Sequence, residues 1–494
     1  MRRPKRISAA ALAIIFLLLA SRYLFSLLAT PPDQSQTSKL NNNNKNENKR
    51  KADSRIVRHS PDKLLDYSSV DLIPWKHKDD FASFPRITYF NGHRGCNENM
   101  HGVMTRLKLN FNVLNPRKIT RYGMRHVDGQ TLINFGYIAT LCNASDVIII
   151  ADTLPDARGI LLSLVDPDES KRCKSNIVVE LTNRFNWIVD AQKDYNELML
   201  QLVENPPENL YWTANNPFEE VYFKMRVGKA PPFKLLRSLG VWDVDPFDNS
   251  AGITSVASKG KFGRVKIPDQ INSLTIIRDE TRNNQHPKVE LLFRLYGIYD
   301  KVVRLPKHYG GPSILYRYKG LIEFPYQVSV MKFYENIAHG VPQVLPTPRL
   351  LHAIVKDAKL HHYFSGWIDK LEETAIYVAN PEKHAAMQMK GDFLKKEVWE
   401  DAPRLRGIKR LDKPYRAAWA ELCDFYRKEF EPFVYYFDSF DELKQMMAVP
   451  FEAFDYKNVR KKGPQFYEQI RNESMATWKD LFNVMGYGKL LDKK

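Results

Sequence analysis

The chain has 494 residues, 44% hydrophobic and 12% aromatic, enough apolar material for two or three folded units and too much for a wholly disordered polymer. Only one stretch is apolar enough to cross a bilayer, which excludes a polytopic transporter. The formal charge of +17 is concentrated at the start: residues 1–60 hold 12 Lys/Arg against 3 Asp/Glu, leaving a surplus of 8 on the remainder. With no interleaved basic and aromatic stripe, no nucleic-acid partner is expected.

Arg2, Arg3, Lys5 and Arg6 precede an apolar run from Ala9 to Leu28, close to the ~20 residues that span hydrocarbon as a helix. The positive cluster lies on its N-terminal side, which keeps residues 1–7 cytosolic and places everything after Thr30 in the lumen. This is the pattern of a type II signal anchor; a cleaved signal peptide ending near Ala20 is the alternative, favoured by Arg22. Either way the rest of the chain enters the secretory pathway; the anchor reading places it at the Golgi or ER membrane, attached through the N-terminal helix. Pro31 to about Asp80, including "NNNNKNENKRK", is too poor in aliphatic residues to build a core and reads as a stem.

Four cysteines follow, Cys96, Cys142, Cys173 and Cys423. In an oxidising lumen they allow up to two disulfides in three connectivities, and no C-x-x-C pair or His partner at ligand spacing stands out, so no zinc site is expected. The sequons at Asn143 and Asn472 fit a luminal setting.

From Pro85 the chain alternates strand-like and helix-like segments. Ile87–Phe90 reads as a strand, followed by a polar loop "NGHRGCNENMHG" and a helix from about Val103. The four β-branched residues Val147–Ile150 suit a strand buried on both faces of a parallel sheet. Asp156 precedes the helical "ARGILLSL" as its expected cap. Ile177–Leu181, a helix around Tyr195–Val203 and Leu210–Thr213 complete a β-α-β series.

After an irregular stretch at about Asp243 to Asp269 the alternation restarts. Leu274–Ile277 reads as a strand, Val289–Tyr296 as a helix, and Val302–Arg304 and Leu321–Phe324 as strands. A helix from about Gln327 to His339 leads to a strand at Gln343–Leu345. Thr347 and Pro348 can cap and open the next helix. "FVYYF" at 433–437 reads as a strand, and Ser439 with Glu442 as a capping pattern.

The expectation is an α/β chain with two Rossmann-like, doubly wound domains facing a cleft. Residues 1–30 form the tail and anchor, 31–80 the stem, 81–265 the N-terminal domain and 266–448 the C-terminal domain. Residues 449–494 are an extension that either packs back across both domains or extends the second.

The most informative segment is "FPYQVSVMKFYENIAHGVPQVLPTP", Phe324 to Pro348. Val330, Tyr334 and Ile337 have the spacing of a buried helical stripe, Gly340 sits where a left-handed terminator is wanted, and Pro342 prevents continuation. Ligands of open α/β sheets bind beyond the carboxyl ends of the strands, where helix N-termini attract phosphate. Tyr326, Gln327, Val328 and Ser329 are expected to offer their N–H groups there, and Glu335 can accept hydrogen bonds from a ribose diol.

"YENIAHGVPQV" resembles the E-A-x-A-x-G-x-P-V element of GT-B glycosyltransferases, especially glycosyltransferase family 4 and its relatives. The resemblance implies a nucleotide-sugar donor in the C-terminal domain, an acceptor bound mainly by the N-terminal domain, and metal-independent transfer in the cleft; the expected enzyme is a hexosyltransferase acting on a glycan or glycoprotein hydroxyl, with the donor not legible in the sequence. It aligns Glu335 with the second glutamate of the family's pair, the one that holds the donor ribose. The first falls at Gln327, an amide that cannot supply the charge a retaining transition state uses, which leaves the stereochemistry open.

His93, after the first strand, is the candidate general base, with His101 second in the same loop. Arg278 and Arg282 follow the first strand of the second block and can neutralise the leaving diphosphate, assisted by Lys332. Asp152, at the end of the Val147 strand, is an acceptor-side candidate. Asp243-Val-Asp245 resembles the D-x-D metal motif of GT-A transferases but lacks the strand that would aim it. The rival readings are a metal-dependent GT-A-type transferase, a glycoside hydrolase, for which no carboxylate pair stands out, and a non-catalytic luminal binding protein.

Overall fold

The computed structural model describes residues 85–491 except 121, 190–191, 241–269, 279–284, 307–308, 355–364 and 390–419. All fall within one compact unit, Leu65–Lys494. Six parallel strands form the first sheet: β1 (Ile87–Phe90), β2 (Asn112–Leu114), β3 (Val147–Ala151), β4 (Asn176–Leu181), β5 (Leu210–Ala214) and β6 (Lys234–Leu235), in the order β2-β1-β3-β4-β5-β6. The second sheet has β7 (Ile271–Arg278), β8 (Val303–Pro306), β9 (Tyr318–Ile322), β10 (Gln343–Pro346) and β11 (Val434–Phe437), in the order β11-β10-β9-β7-β8. Every pairing is parallel. Each lobe is therefore a Rossmann-like doubly wound sheet, with the strand order reversing between β1 and β3 in one and between β7 and β9 in the other.

Continuous apolar strands result because both faces of each sheet are covered. Ile87, Tyr89, Val147 and Ile149 face one layer, while Phe90, Ile148 and Ile150 face the other, the period-2 alternation of a strand. Helices α1 (Arg94–Leu107), α2 (Pro217–Val227), α3 (Met331–Ala338), α4 (Ser365–Ala379) and α5 (Val459–Val484) position the site.

Helix α1 begins nine residues before the expected Val103. The segment read as a polar loop contains Cys96, Asn99, Met100, Val103, Met104 and Leu107 at helical spacing, and all six are buried. His93 and His101 consequently belong to a helix, one as its cap and one two turns in. In contrast, α3 starts four residues later than expected, at Met331, and Tyr326, Gln327 and Ser329 lie in the irregular approach to it. Thr347 caps the helix opened by Pro348, and Ser439 accepts from the Glu442 amide, as expected.

Helix α5 crosses from one lobe to the other. Its start packs on α3, where Gly340 takes φ +63° and a side-chain carbon there would lie 2.6 Å from the Arg460 carbonyl oxygen. Only a residue without Cβ fits that approach. Further along, Trp478, Leu481 and Phe482 bury against Ile87, Tyr89 and Cys96 of the first lobe, each contributing ~1.5–3 kcal/mol of apolar burial. The Tyr467 hydroxyl donates to the Leu239 carbonyl and the Ser474 hydroxyl to the Arg237 carbonyl. Arg237 in turn pairs with Glu429 at 2.6 Å. One helix and the strand-exit segment 236–240 thus tie the lobes together at this side of the seam.

Cys142 and Cys173 are disulfide-bonded, closing the helix before β3 to the approach to β4, while Cys96 and Cys423 are free and buried. Among the described residues no helix is long and apolar enough to cross a membrane; the anchor expected over Ala9–Leu28 and the stem lie outside the described residues.

Candidate functional site

The carboxyl edges of the two sheets face one another. A side-chain carbon on Gly95, in the first turn of α1, would lie 2.7 Å from Met331 Cε at the start of α3. One built on Gly240 would lie 2.4 Å from Glu335 Cγ. Glu335 is therefore inside the seam, 5% exposed, against the backbone of the opposite lobe.

Around Glu335 the second edge carries a charged cluster. Lys332 pairs with Glu323, the residue that follows β9, at 2.7 Å. Burial pulls the Lys332 ammonium down, but Glu323, Tyr326 and Glu335 together hold it above its ordinary value. Burial, Glu335 and Glu323 push the Tyr309 hydroxyl up. Tyr326, Lys332 and Glu335 of the expected donor group thus come together, joined by Glu323 and Tyr309. Ser329 turns instead toward the buried Tyr334–Asp424 pair, whose hydroxyl donates at 2.7 Å. Gln327 is half-buried in the approach loop. The first-turn N–H groups of α3 belong to Met331 onward, so the expected N–H donors at 326–329 are not at a helix end. Arg278 ends β7; Arg282, Asp243 and Asp245 lie outside the described residues.

At the first edge the strand reversal brings two candidates, His93 and Asp152, together with Cys96. His93 caps α1, its Nδ1 accepting from the Cys96 amide at 3.3 Å, so the neutral ring carries its hydrogen on Nε2. One ligand atom each of His93, Cys96 and Asp152 lie within 4.8 Å of one another. Asp152 leaves β3 at φ +61°, a conformation uncommon outside glycine; its N–H donates to Thr182 Oγ1 at 3.0 Å and its carboxylate accepts from Thr153 at 3.1 Å. Below lies Glu180 of β4, accepting from the Tyr89 hydroxyl at 3.1 Å, its carboxyl pushed up to about 7 by burial. Burial and then Asp152 and Glu180 push the Cys96 thiol well up.

His101 is not part of this group: it stacks edge-on with Phe111, two turns along α1. Asp156 caps no helix either. It is buried and accepts from the Gly123 amide at 2.6 Å, binding a neighbouring loop, with its carboxyl raised to about 7 by burial. The helix that follows begins at Arg158 after a 3-10 turn, with Ala157 at its cap.

Sequence reasoning missed Cys96, Glu180, Glu323 and Tyr309. The spacing His93-x-x-Cys96 was the available signal for the first, since it places both side chains on one helical turn. For Glu180 it was a carboxylate inside an apolar strand.

No protein-family model and no curated protein matches the chain. Among solved structures it is similar to the "Glycotransferase of kitacinnamycin", at 9% identity and a TM-score of 0.34, over 83% of this chain and 97% of that one.

Proposed function

We propose that the chain is a glycosyltransferase that moves a sugar, a hexose, from a nucleotide-sugar donor to a hydroxyl of a glycan or glycoprotein in the Golgi or ER lumen, anchored by its N-terminal segment. The observation that carries the reading is Glu335. It lies on the one element whose sequence resembles a glycosyltransferase family, beyond the carboxyl edge of the second sheet, and in the seam between two Rossmann-like lobes. There it receives the donor ribose, with Tyr326 and Lys332 beside it. Arg278, Arg282 and Lys332 neutralise the charge that develops on the departing diphosphate.

The acceptor hydroxyl is received at the opposite edge, between His93 and Asp152, and attacks the anomeric carbon as its proton passes to that pair. Gln327 offers hydrogen bonds and no charge, which fits a mechanism without a carboxylate beneath the sugar ring.

The test is a thermal-shift titration of the purified full chain with a panel of nucleotide diphosphates and nucleotide sugars, followed by detection of released nucleotide. One donor class raises the melting temperature by mass action. Glu335→Ala weakens that donor ~10-fold or more, the scale of a lost hydrogen bond to a charged group, and stays folded. Unchanged donor affinity in a folded Glu335→Ala variant overturns the assignment.

A further inference from the structure

We propose that His93, Cys96 and Asp152 form a binding site for a divalent cation of the zinc class at the carboxyl edge of the first sheet. Three observations meet there. The donors are an imidazole nitrogen, a thiol sulfur and a carboxylate oxygen, each within 4.8 Å of the other two. This set suits a borderline-soft cation rather than Mg²⁺ or Ca²⁺, which take oxygen. Tetrahedral ligands at ~2.0–2.3 Å from a metal are roughly 3.5 Å apart, so modest side-chain rotations close the trio around an ion.

The second observation is charge. The Asp152 carboxylate accepts from the Thr153 hydroxyl and makes no ion pair among the described residues, and Glu180 beneath it is met by the Tyr89 hydroxyl. Among the described residues these two carboxyl groups have no cationic partner, and they sit beside a thiol at the strand reversal, where open α/β sheets bind ligands. A cation supplies the missing charge.

The third is preorganisation. The His93 nitrogen that carries a lone pair is Nδ1, at the first turn of α1, and its long 3.3 Å bond from the Cys96 amide is exchanged for the ion on binding. Asp152 is held in its left-handed conformation by the Thr182 hydroxyl, which also lies 3.7 Å from Cys96 Sγ. The ligands come from the start of a helix and the end of a central strand, rigid elements suited to metal geometry. Cys96 is buried while His93 is exposed, so a fourth position opens toward solvent, as in sites that bind a reacting oxygen. Cation binding does not rest on the transfer proposed above, in which His93 and Asp152 act without an ion.

The chain is stripped with a chelator and titrated with Co²⁺, whose thiolate complexes absorb in the near ultraviolet. One equivalent gives a thiolate-to-cobalt band that Zn²⁺ displaces. Cys96→Ser abolishes the band, whereas Cys423→Ser keeps it. Asp152→Asn and His93→Asn weaken Co²⁺ binding at least ~10-fold, the loss that follows even from removing supporting groups around a metal. Both are chosen to fold: asparagine tolerates the left-handed conformation of residue 152 and caps helices well at 93. A stripped wild-type chain with no band, a band that survives Cys96→Ser, or equal Co²⁺ affinity in the two asparagine variants overturns the proposal. Donor thermal shifts on the same samples separate this outcome from a failure of the transferase reading.

Discussion

The carboxyl edges of the two sheets have the same strand order about their reversal points and opposite electrostatics. At the second, Glu323 and Glu335 are served by Lys332, a cation supplied by the chain itself. At the first, Asp152 and Glu180 have hydroxyl partners. Topology places a ligand site at both edges, but side-chain charge decides what each accepts. The second edge carries its own cation and can turn its carboxylates to neutral hydroxyls of a sugar; the first attracts positive charge.

The sharpest way to break this contrast is to remove the built-in cation. Lys332→Met leaves Glu323 and Glu335 in a buried seam without the ammonium and is expected to cost ~3 kcal/mol, the scale of uncompensated buried charge. It shows as a melting temperature lowered at neutral pH and partly recovered in acid, where the carboxyls gain protons. A variant as stable as wild type at neutral pH would mean that the Lys332 pairing contributes little.

Next in size is Gly240→Ala. Gly240 has φ +89°, and a Cβ there meets Glu335 Cγ at 2.4 Å, so the variant combines backbone strain with displacement of the proposed ribose ligand. We expect ~1–3 kcal/mol of destabilisation and donor binding weakened in step with Glu335→Ala, while Co²⁺ binding at the far edge is unchanged. Loss at both edges would show that the seam responds as one body.

How much of this the sequence discloses depends on which force sets each feature. The apolar runs of β1, β3, β4 and β5 are legible because strands buried on two faces admit little else. Gly340 and Thr347 are legible because a left-handed terminator and a helix cap each demand particular chemistry at one position. Helix α1 is not, because Gly95, Asn97 and Glu98 dilute a stripe whose buried members include Cys96 and Asn99, neither of which registers as core. The early start assigned to α3 has the reverse cause: Phe324, Val328 and Val330 are buried for tertiary reasons and mimic a helical stripe. The donor-side cluster was only half visible. Glu335 has a motif around it, whereas Glu323 and Tyr309 reach it through strand order, which local spacing does not encode.

The smallest expected effect concerns the seam away from either edge, where α2 meets α4 through the Arg226–Glu373 ion pair. Glu219, in the first turn of α2, is buried and faces Arg184 and Lys370; burial pushes its carboxyl up to about 7 against the opposing pull of those cations. Lys370 is itself held down to about 8 by burial, Arg184 and Arg226, with Glu373 and Glu219 acting the other way. The Glu219 carboxyl is raised above its unfolded value of 4.5. Between those two values the folded chain keeps a proton that the unfolded chain has lost, so its contribution is full in acid and declines as pH rises toward 7. Glu219→Gln mimics the protonated form and removes that decline. The variant should match wild type at pH 5 and exceed it by ~1 kcal/mol at pH 7.5, less than the shift alone implies because Arg184 and Lys370 lose their carboxylate partner. A variant less stable than wild type at pH 7.5 would make Glu219 an ionised partner of those cations, and this part of the seam would then resemble the second edge, with its built-in cation, rather than the first.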